Sequence, residues 1–76
     1  MNKARRDKLQ SSIRFLKTAK DIVEDVRDEE SDCADNMPEN LQESDRYSIM
    51  MDAIDYLDEA CANIEEAIES VESAIE

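Results

Sequence analysis

The 76-residue chain contains no glycine, no histidine and no tryptophan, and its one proline is Pro38. Glycine accepts positive φ angles and close backbone approaches at the least steric cost. Tight β-hairpins and phosphate-binding loops depend on such positions. Without imidazole, histidine-based catalysis and most zinc and di-iron sites are excluded as well. The composition therefore predicts helices, and we expect no enzyme activity, no metal and no cofactor.

The chain is also short and poor in cysteine, with only Cys33 and Cys61. A domain of this size rarely gains more than about 3–5 kcal/mol from one core, so small chains often associate. The first twenty residues lack the apolar core of a signal peptide, and no apolar run reaches the length of a membrane span. We therefore expect a cytoplasmic protein with free thiols that is stabilised by self-association.

The second half of the chain carries a regular heptad pattern. Small alanines precede its later core positions, at Ala53, Ala60, Ala67 and Ala74. Such spacing is typical of a helix that packs along a supercoiled seam. Ser44 is the predicted N-cap of a helix over about 44–75, with Asp45 in its first turn. The apolar residues that alternate at spacings of three and four are Tyr47, Met50, Ile54, Leu57, Cys61, Ile64, Ile68, Val71 and Ile75.

The first half predicts a second helix, over about 2–35, with a wider apolar face. Its apolar residues cover an arc of about 160°, which is typical of a helix that contacts more than one neighbour. They are Leu9, Ile13, Phe15, Leu16, Ala19, Ile22, Val23 and Val26. The link over about 36–43 contains Asn36 and Glu39, which resemble a capping box around Pro38.

Two long helices joined by a short link predict an all-α fold, an antiparallel helical hairpin that forms one domain over 1–76. Because two helices cannot cover the wide apolar arc, we expect two hairpins to form a homodimeric four-helix bundle. The residues predicted for the oligomer core are Leu9, Ile13, Leu16, Ile54, Leu57, Cys61, Ile64, Ile68 and Val71.

The net charge of −12 is distributed unevenly, with +6 over residues 1–20 and −18 over the remainder. In an antiparallel hairpin these opposite charges lie side by side and help to fix the register. A link centred near residue 40 places Glu72 near Lys8, Glu65 near Arg14 and Lys17, and Asp58 near Lys20. A membrane or nucleic-acid contact through the basic segment is the alternative. The large acidic excess disfavours it, so we expect neither partner.

The acidic excess has two interpretations. It forms a solvated, solubilising surface, or it forms a face that attracts a basic protein partner, in the manner of phosphates. Arg46 and the link are the local candidates for a specific contact. The carboxylates predicted for the acidic face are Asp52, Asp55, Glu59, Glu66 and Glu69.

Two further patterns carry no predicted chemistry. Acids from Asp28 to Glu39 follow part of the spacing of a calcium loop, but Cys33 occupies the position where the turn requires glycine, so the match is accidental. With the link centred near residue 40, we expect Cys33 and Cys61 to lie roughly 20 Å apart along the axis, too far for a disulfide.

The link and second helix resemble a group of short acidic proteins encoded by phages and mobile elements of Gram-positive gut bacteria. The matching residues are Pro38, Glu39, Asn40, Leu41, Gln42, Ser44 and Arg46, followed by the Ala/Ile heptads from Ala53 onward. The group has no assigned function, so no functional residue is implied. The resemblance implies a mobile-element origin, where small acidic proteins often act on host machinery.

We therefore expect a non-enzymatic interaction protein whose acidic face binds a basic host partner that handles nucleic acid. The alternative hypothesis is a small assembly or scaffold component that acts through its apolar helical stripe.

Overall fold

The computed structural model describes all 76 residues and contains two long helices. Helix α1 comprises Lys3–Asp35, a 3₁₀ turn follows at Glu39–Leu41, and helix α2 comprises Asp45–Ile75. The helices pack against each other over their length as an antiparallel rod, whose Cα atoms extend 59 × 14 × 13 Å. The predicted all-α hairpin is confirmed.

Both helices begin at a capped residue. The side chain of Asn2 accepts a hydrogen bond from the Arg5 amide at 2.9 Å, and Ser44 Oγ accepts one from the Tyr47 amide at 3.2 Å. These bonds satisfy amides that have no partner within the helix. Ser44 is therefore the N-cap that the sequence predicts, with Asp45 in the first turn.

The link reverses the chain without any residue at positive φ, which explains how the fold forms without glycine. Pro38 adopts an extended conformation, with φ −55° and ψ 143°, and it leads into the 3₁₀ turn. The Gln42 side chain donates a hydrogen bond to the Met37 carbonyl at 3.2 Å. Ser44 Oγ donates to the Leu41 carbonyl at 2.6 Å.

The predicted capping box in the link is wrong. Asn36 is the C-cap of α1, and its amide donates to the Asp32 carbonyl at 3.1 Å. The N-cap of the 3₁₀ turn is Pro38, which makes no side-chain capping bond, and Glu39 follows it. Proline disfavours a helical conformation at the preceding residue. The chain therefore leaves α1 before Pro38, and Asn36 closes the first helix instead of opening a new one.

The seam between the helices contains the small core of the chain. Its buried residues are Ile13, Ala34, Ile54 and Ile68. The nine residues predicted as an oligomer core all lie here, three of them buried and the rest half-buried, between two helices of the same chain. The large apolar residues left exposed are a different set.

The predicted ion pairs are wrong because the register is displaced. Lys20 pairs with Glu65 and Arg27 pairs with Asp58, so paired residue numbers add to 85 and not to about 80. Glu65 is therefore not paired with Arg14 or Lys17, nor Asp58 with Lys20. In this register the first turn of α2 lies alongside the link and not alongside α1. A sum of about 80 would require a link that turns symmetrically about residue 40.

The displaced register also leaves most of the basic segment unmatched by α2. Glu72 lines a groove with Lys17 at the open end of the hairpin, and it forms no ion pair with Lys8. Only Lys20, among the seven basic residues of positions 1–20, pairs with an acid of α2. Charge matching between the helices is therefore confined to the middle of the rod.

Candidate interaction surfaces

The hairpin has an ionic face, which comprises Lys20, Glu24, Arg27, Asp58 and Glu65. Lys20 Nζ lies 3.0 Å from Glu65 Oε2 and 3.4 Å from Glu24 Oε1. Arg27 Nε donates to Asp58 Oδ1 at 2.7 Å. These contacts connect the same flank of both helices.

The ion pairs raise the pKa of both basic groups. The hydrogen bond with Glu65 is the main cause for Lys20, where partial desolvation opposes it, and the hydrogen bond with Asp58 is the main cause for Arg27. Both side chains occupy heptad positions of α1 that continue the seam from Leu16 through Val23. Their long stems can cover apolar surface while the charged groups reach the carboxylates at the rim.

An acidic edge runs along the side of α2 that faces away from α1. It comprises the five carboxylates predicted for the acidic face, Asp52, Asp55, Glu59, Glu66 and Glu69, and each is exposed. None forms a salt bridge or accepts a hydrogen bond. The edge extends for roughly 25 Å along the helix.

Arg46 does not lie with this edge. It is exposed in the first turn of α2 and forms no ion pair. Helical geometry places it about 9 Å along the axis from Asp52 and about 120° around the helix. The structure therefore separates the predicted link contact from the acidic carboxylates.

An apolar face lies opposite the ionic face. Five large side chains are exposed there: Phe15 (75%), Ile22 (59%) and Val26 (47%) on α1, and Ile49 (68%) and Tyr56 (72%) on α2. Small residues share this face, namely Ala19 on α1 and Ala53, Ala60, Ala67 and Ala74 on α2.

The position of the ion pairs shows that these residues share one face. One flank of the seam carries the acids that come one residue after a core heptad position, namely Glu24 on α1 and Asp58 and Glu65 on α2. The ion pairs connect this flank of α1 with the same flank of α2. Phe15, Ile22, Ile49 and Tyr56 lie about 130° to the other side of each seam. Because the two helices meet along the ionic flank, their opposite flanks are also adjacent. The exposed apolar residues of α1 and α2 therefore lie on one continuous surface.

At the open end of the rod a groove of about 320 Å³ lies between the helices. Ile13 and Ile75 provide its apolar part, and Gln10, Lys17, Glu72 and Glu76 complete its lining. No group of three or more His, Cys, Asp or Glu side chains is arranged to hold a metal ion. The calcium-loop-like run from Asp28 to Asp35 is part of α1, so its carboxylates point around a helix.

The two thiols are free and have different environments. Cys33 is exposed and Cys61 is half-buried in the seam. Desolvation is the main cause that raises the pKa of the Cys61 thiol, and the nearby Glu24 carboxylate raises it further. Cys61 is therefore a core residue that resists ionisation.

No protein-family model matches the chain, and neither a curated protein nor a solved structure shows significant similarity to it. Neither helix has a stretch long and apolar enough to cross a membrane. The surfaces of the hairpin are therefore the basis for any functional proposal.

The sequence pattern missed part of the apolar face. Phe15, Ile22 and Val26 belong to the wide arc that it identified on α1. The contribution of Ile49 and Tyr56 on α2 was not recognised, because the strong heptad seam of α2 accounted for that helix. Their spacing of seven, with Ala53 between them, is the signal that could have found this second stripe.

Proposed function

We propose that this chain is a non-enzymatic, cytoplasmic interaction protein whose acidic edge binds a basic protein partner. The observation that supports this proposal is the isolation of the edge. Its five carboxylates are exposed and unpaired, whereas the ionic face matches its acids with Lys20 and Arg27. A row of unneutralised charge of one sign steers an oppositely charged partner toward it.

The resemblance to short acidic proteins of phages and mobile elements supports a host protein as the partner. A host protein that handles nucleic acid carries a basic surface, because it must neutralise phosphates. The acidic edge offers charges of the same sign along one line of roughly 25 Å. We propose that such a surface is what the edge recognises.

The test compares two variants with equal net charge. In the edge variant, Asp52, Asp55, Glu59, Glu66 and Glu69 are changed to Asn or Gln. In the control variant, five exposed acids of α1 are changed in the same way: Asp21, Asp25, Glu29, Asp32 and Asp35. Binding of a fluorescein-labelled decalysine peptide is measured by fluorescence anisotropy at 0.05 and 0.5 M salt.

We expect the edge variant to bind the peptide at least about tenfold more weakly than the control variant. The difference should shrink at 0.5 M salt, because the Debye length falls from roughly 14 Å to roughly 4 Å. Equal weakening in the two variants would mean that net charge alone attracts the peptide, and the proposed edge would then have no role.

A second candidate function is favoured by the exposed apolar face, namely an assembly or scaffold component. It predicts association that persists at high salt and that depends on exposed apolar residues. Substitution of Ile64, which lies half-buried in the seam, would damage the hairpin itself and would not isolate this function. Ile22 and Val26 are better positions, because both are exposed in the single chain.

A further inference from the structure

We propose that the apolar face is the contact surface for a second copy of this chain, with α1 of one copy antiparallel to α1 of its partner. The two hairpins stack face to face and form a four-helix bundle. Its two-fold axis is perpendicular to the long axis of the rod. This proposal does not depend on the acidic edge, which faces sideways and stays exposed in the stack.

The side of the rod that carries the apolar face is large enough for a stable homodimer. A rod whose Cα atoms span 59 by 14 Å presents roughly 800 Å² on one side, and this is the area that each partner of a standard stable interface contributes. Contiguous exposed apolar patches are rare on monomers and mark interaction sites. The opposite side carries the ion pairs of Lys20 and Arg27 and is unsuited to close packing.

The exposed stripe of α1 is complementary to itself in the antiparallel direction. The stripe has the spacing four, three, four, which is the same in both chain directions. Its residues are Phe15, Ala19, Ile22 and Val26. A two-fold axis between residues 20 and 21 places Phe15 opposite the partner's Val26. It places Ala19 opposite the partner's Ile22. In such an interface each contact occurs twice, as two-fold symmetry requires.

The alanines of α2 are compatible with this centre. Ala53, Ala60, Ala67 and Ala74 repeat every seven residues, a spacing with a symmetric midpoint every 3.5 residues, and one of these midpoints lies between residues 63 and 64. The ion pairs place residues 20 and 21 level with residues 65 and 64. The two centres therefore agree to about one residue, or 1.5 Å. Small side chains at this contact allow the two α2 helices to approach closely.

The charge distribution selects the antiparallel orientation. Residues 1–20 carry a net charge of +6, whereas residues 21–35 hold eight acids and Arg27, a net charge of −7. Antiparallel stacking sets each basic segment against the acidic half of the other α1. Lys8 shares the heptad position of Phe15 and Ile22, and it then lies within about one helical turn of the partner's Glu29, which occupies the same position. With the axis along the rod, both basic segments would gather at one end and repel each other.

Sedimentation equilibrium at micromolar concentration tests the contact surface. We expect twice the chain mass of 8.7 kDa for the native chain. The double variant Ile22→Gln, Val26→Gln should sediment as a monomer, since glutamine removes the apolar contact and keeps helix propensity. The matched control is Met51→Gln, an exposed apolar residue on the ionic side, which should remain dimeric.

Circular dichroism of the double variant distinguishes lost association from lost folding. Ile22 and Val26 are exposed in the single chain, so the monomeric variant should keep its helical spectrum at low temperature. A monomeric native chain, or a double variant that dimerises as tightly as the native chain, overturns the proposed surface.

Spin-label distances test the orientation. In a Cys33→Ser, Cys61→Ala background, a label at Lys3→Cys should give an inter-copy distance of roughly 50 Å, because the two labels lie at opposite ends. A label at Thr18→Cys, close to the proposed axis, should give less than about 25 Å. A distance near 20 Å for the Lys3→Cys label would place both basic segments at one end and overturn the antiparallel arrangement.

Discussion

At the scale of single residues, Ile68 is the best-buried large side chain, with 2% of its surface exposed. Replacing it with alanine removes packed methyl groups and leaves a cavity, at a cost of about 2–5 kcal/mol. For a chain of this size that is most of the stability one core supplies. We expect Ile68→Ala to be largely unfolded in a urea titration followed by circular dichroism.

The control for this prediction is Met51→Ala, an apolar position on the ionic side with 38% of its surface exposed. Its cost should be less than about 1 kcal/mol. If Ile68→Ala lost no more stability than Met51→Ala, the seam would not be the core of the fold.

Cys61 provides a prediction about pH. Its raised pKa means that a smaller fraction is thiolate at any given pH, and the thiolate is the reactive form. In a Cys33→Ser background, we expect iodoacetamide to modify Cys61 at pH 8.5 at least about tenfold more slowly in the native chain than in urea. The midpoint of the native rate profile should also lie at higher pH.

Cys33 in a Cys61→Ala background is the comparison, because Cys33 is exposed. Its native and denatured rates should differ much less than those of Cys61. Equal native rates at the two cysteines would contradict the half-buried position of Cys61 in the seam.

At the scale of helices and link, the start of α2 depends on one hydroxyl. Ser44 Oγ accepts from the Tyr47 amide and donates to the Leu41 carbonyl, so it joins the helix to the 3₁₀ turn. Ser44→Ala should cost about 1 kcal/mol, which lowers the melting temperature by roughly 4–8 °C in a chain of this length.

Two variants isolate the cap. Ser44→Asp keeps an acceptor at the N-cap and should retain most of the stability. Ser48→Ala lies one turn later, where the serine side chain is exposed and makes no hydrogen bond, so it should change the melting temperature little. A Ser48→Ala effect as large as that of Ser44→Ala would contradict a capping role.

The helices were predictable from sequence, and their alignment was not. The heptads and the N-cap at Ser44 located α2, because periodicity and capping are properties of a local segment. The register depends on how Pro38, the 3₁₀ turn and Ser44 fold together, and no periodicity encodes that path. The displacement of about five in the paired residue numbers changed every predicted ion pair while both helices remained correct.

At the scale of the whole molecule, the wide apolar arc of α1 correctly indicated a helix with more apolar surface than one neighbour covers. The division of that arc between seam and exposed face was not predictable, because Lys20 and Arg27 occupy seam positions. A search for apolar residues at heptad spacing passes over Lys20 and Arg27, so it does not show that they belong to the seam. Their role is visible only when Glu65 and Asp58 of the other helix lie within reach.

The placement of these polar seam residues divides the rod into two unlike halves. Near the open end, the seam positions of α1 are the aliphatic Leu9, Ile13 and Leu16, whereas toward the link they include Arg27 and Glu30. The link keeps the adjacent helix ends at a high effective concentration, so weak contacts suffice there. At the far end only side-chain packing opposes separation of the helices. The aliphatic layers at Leu9, Ile13 and Leu16 therefore hold the two helices together at the end of the rod that is farthest from the link.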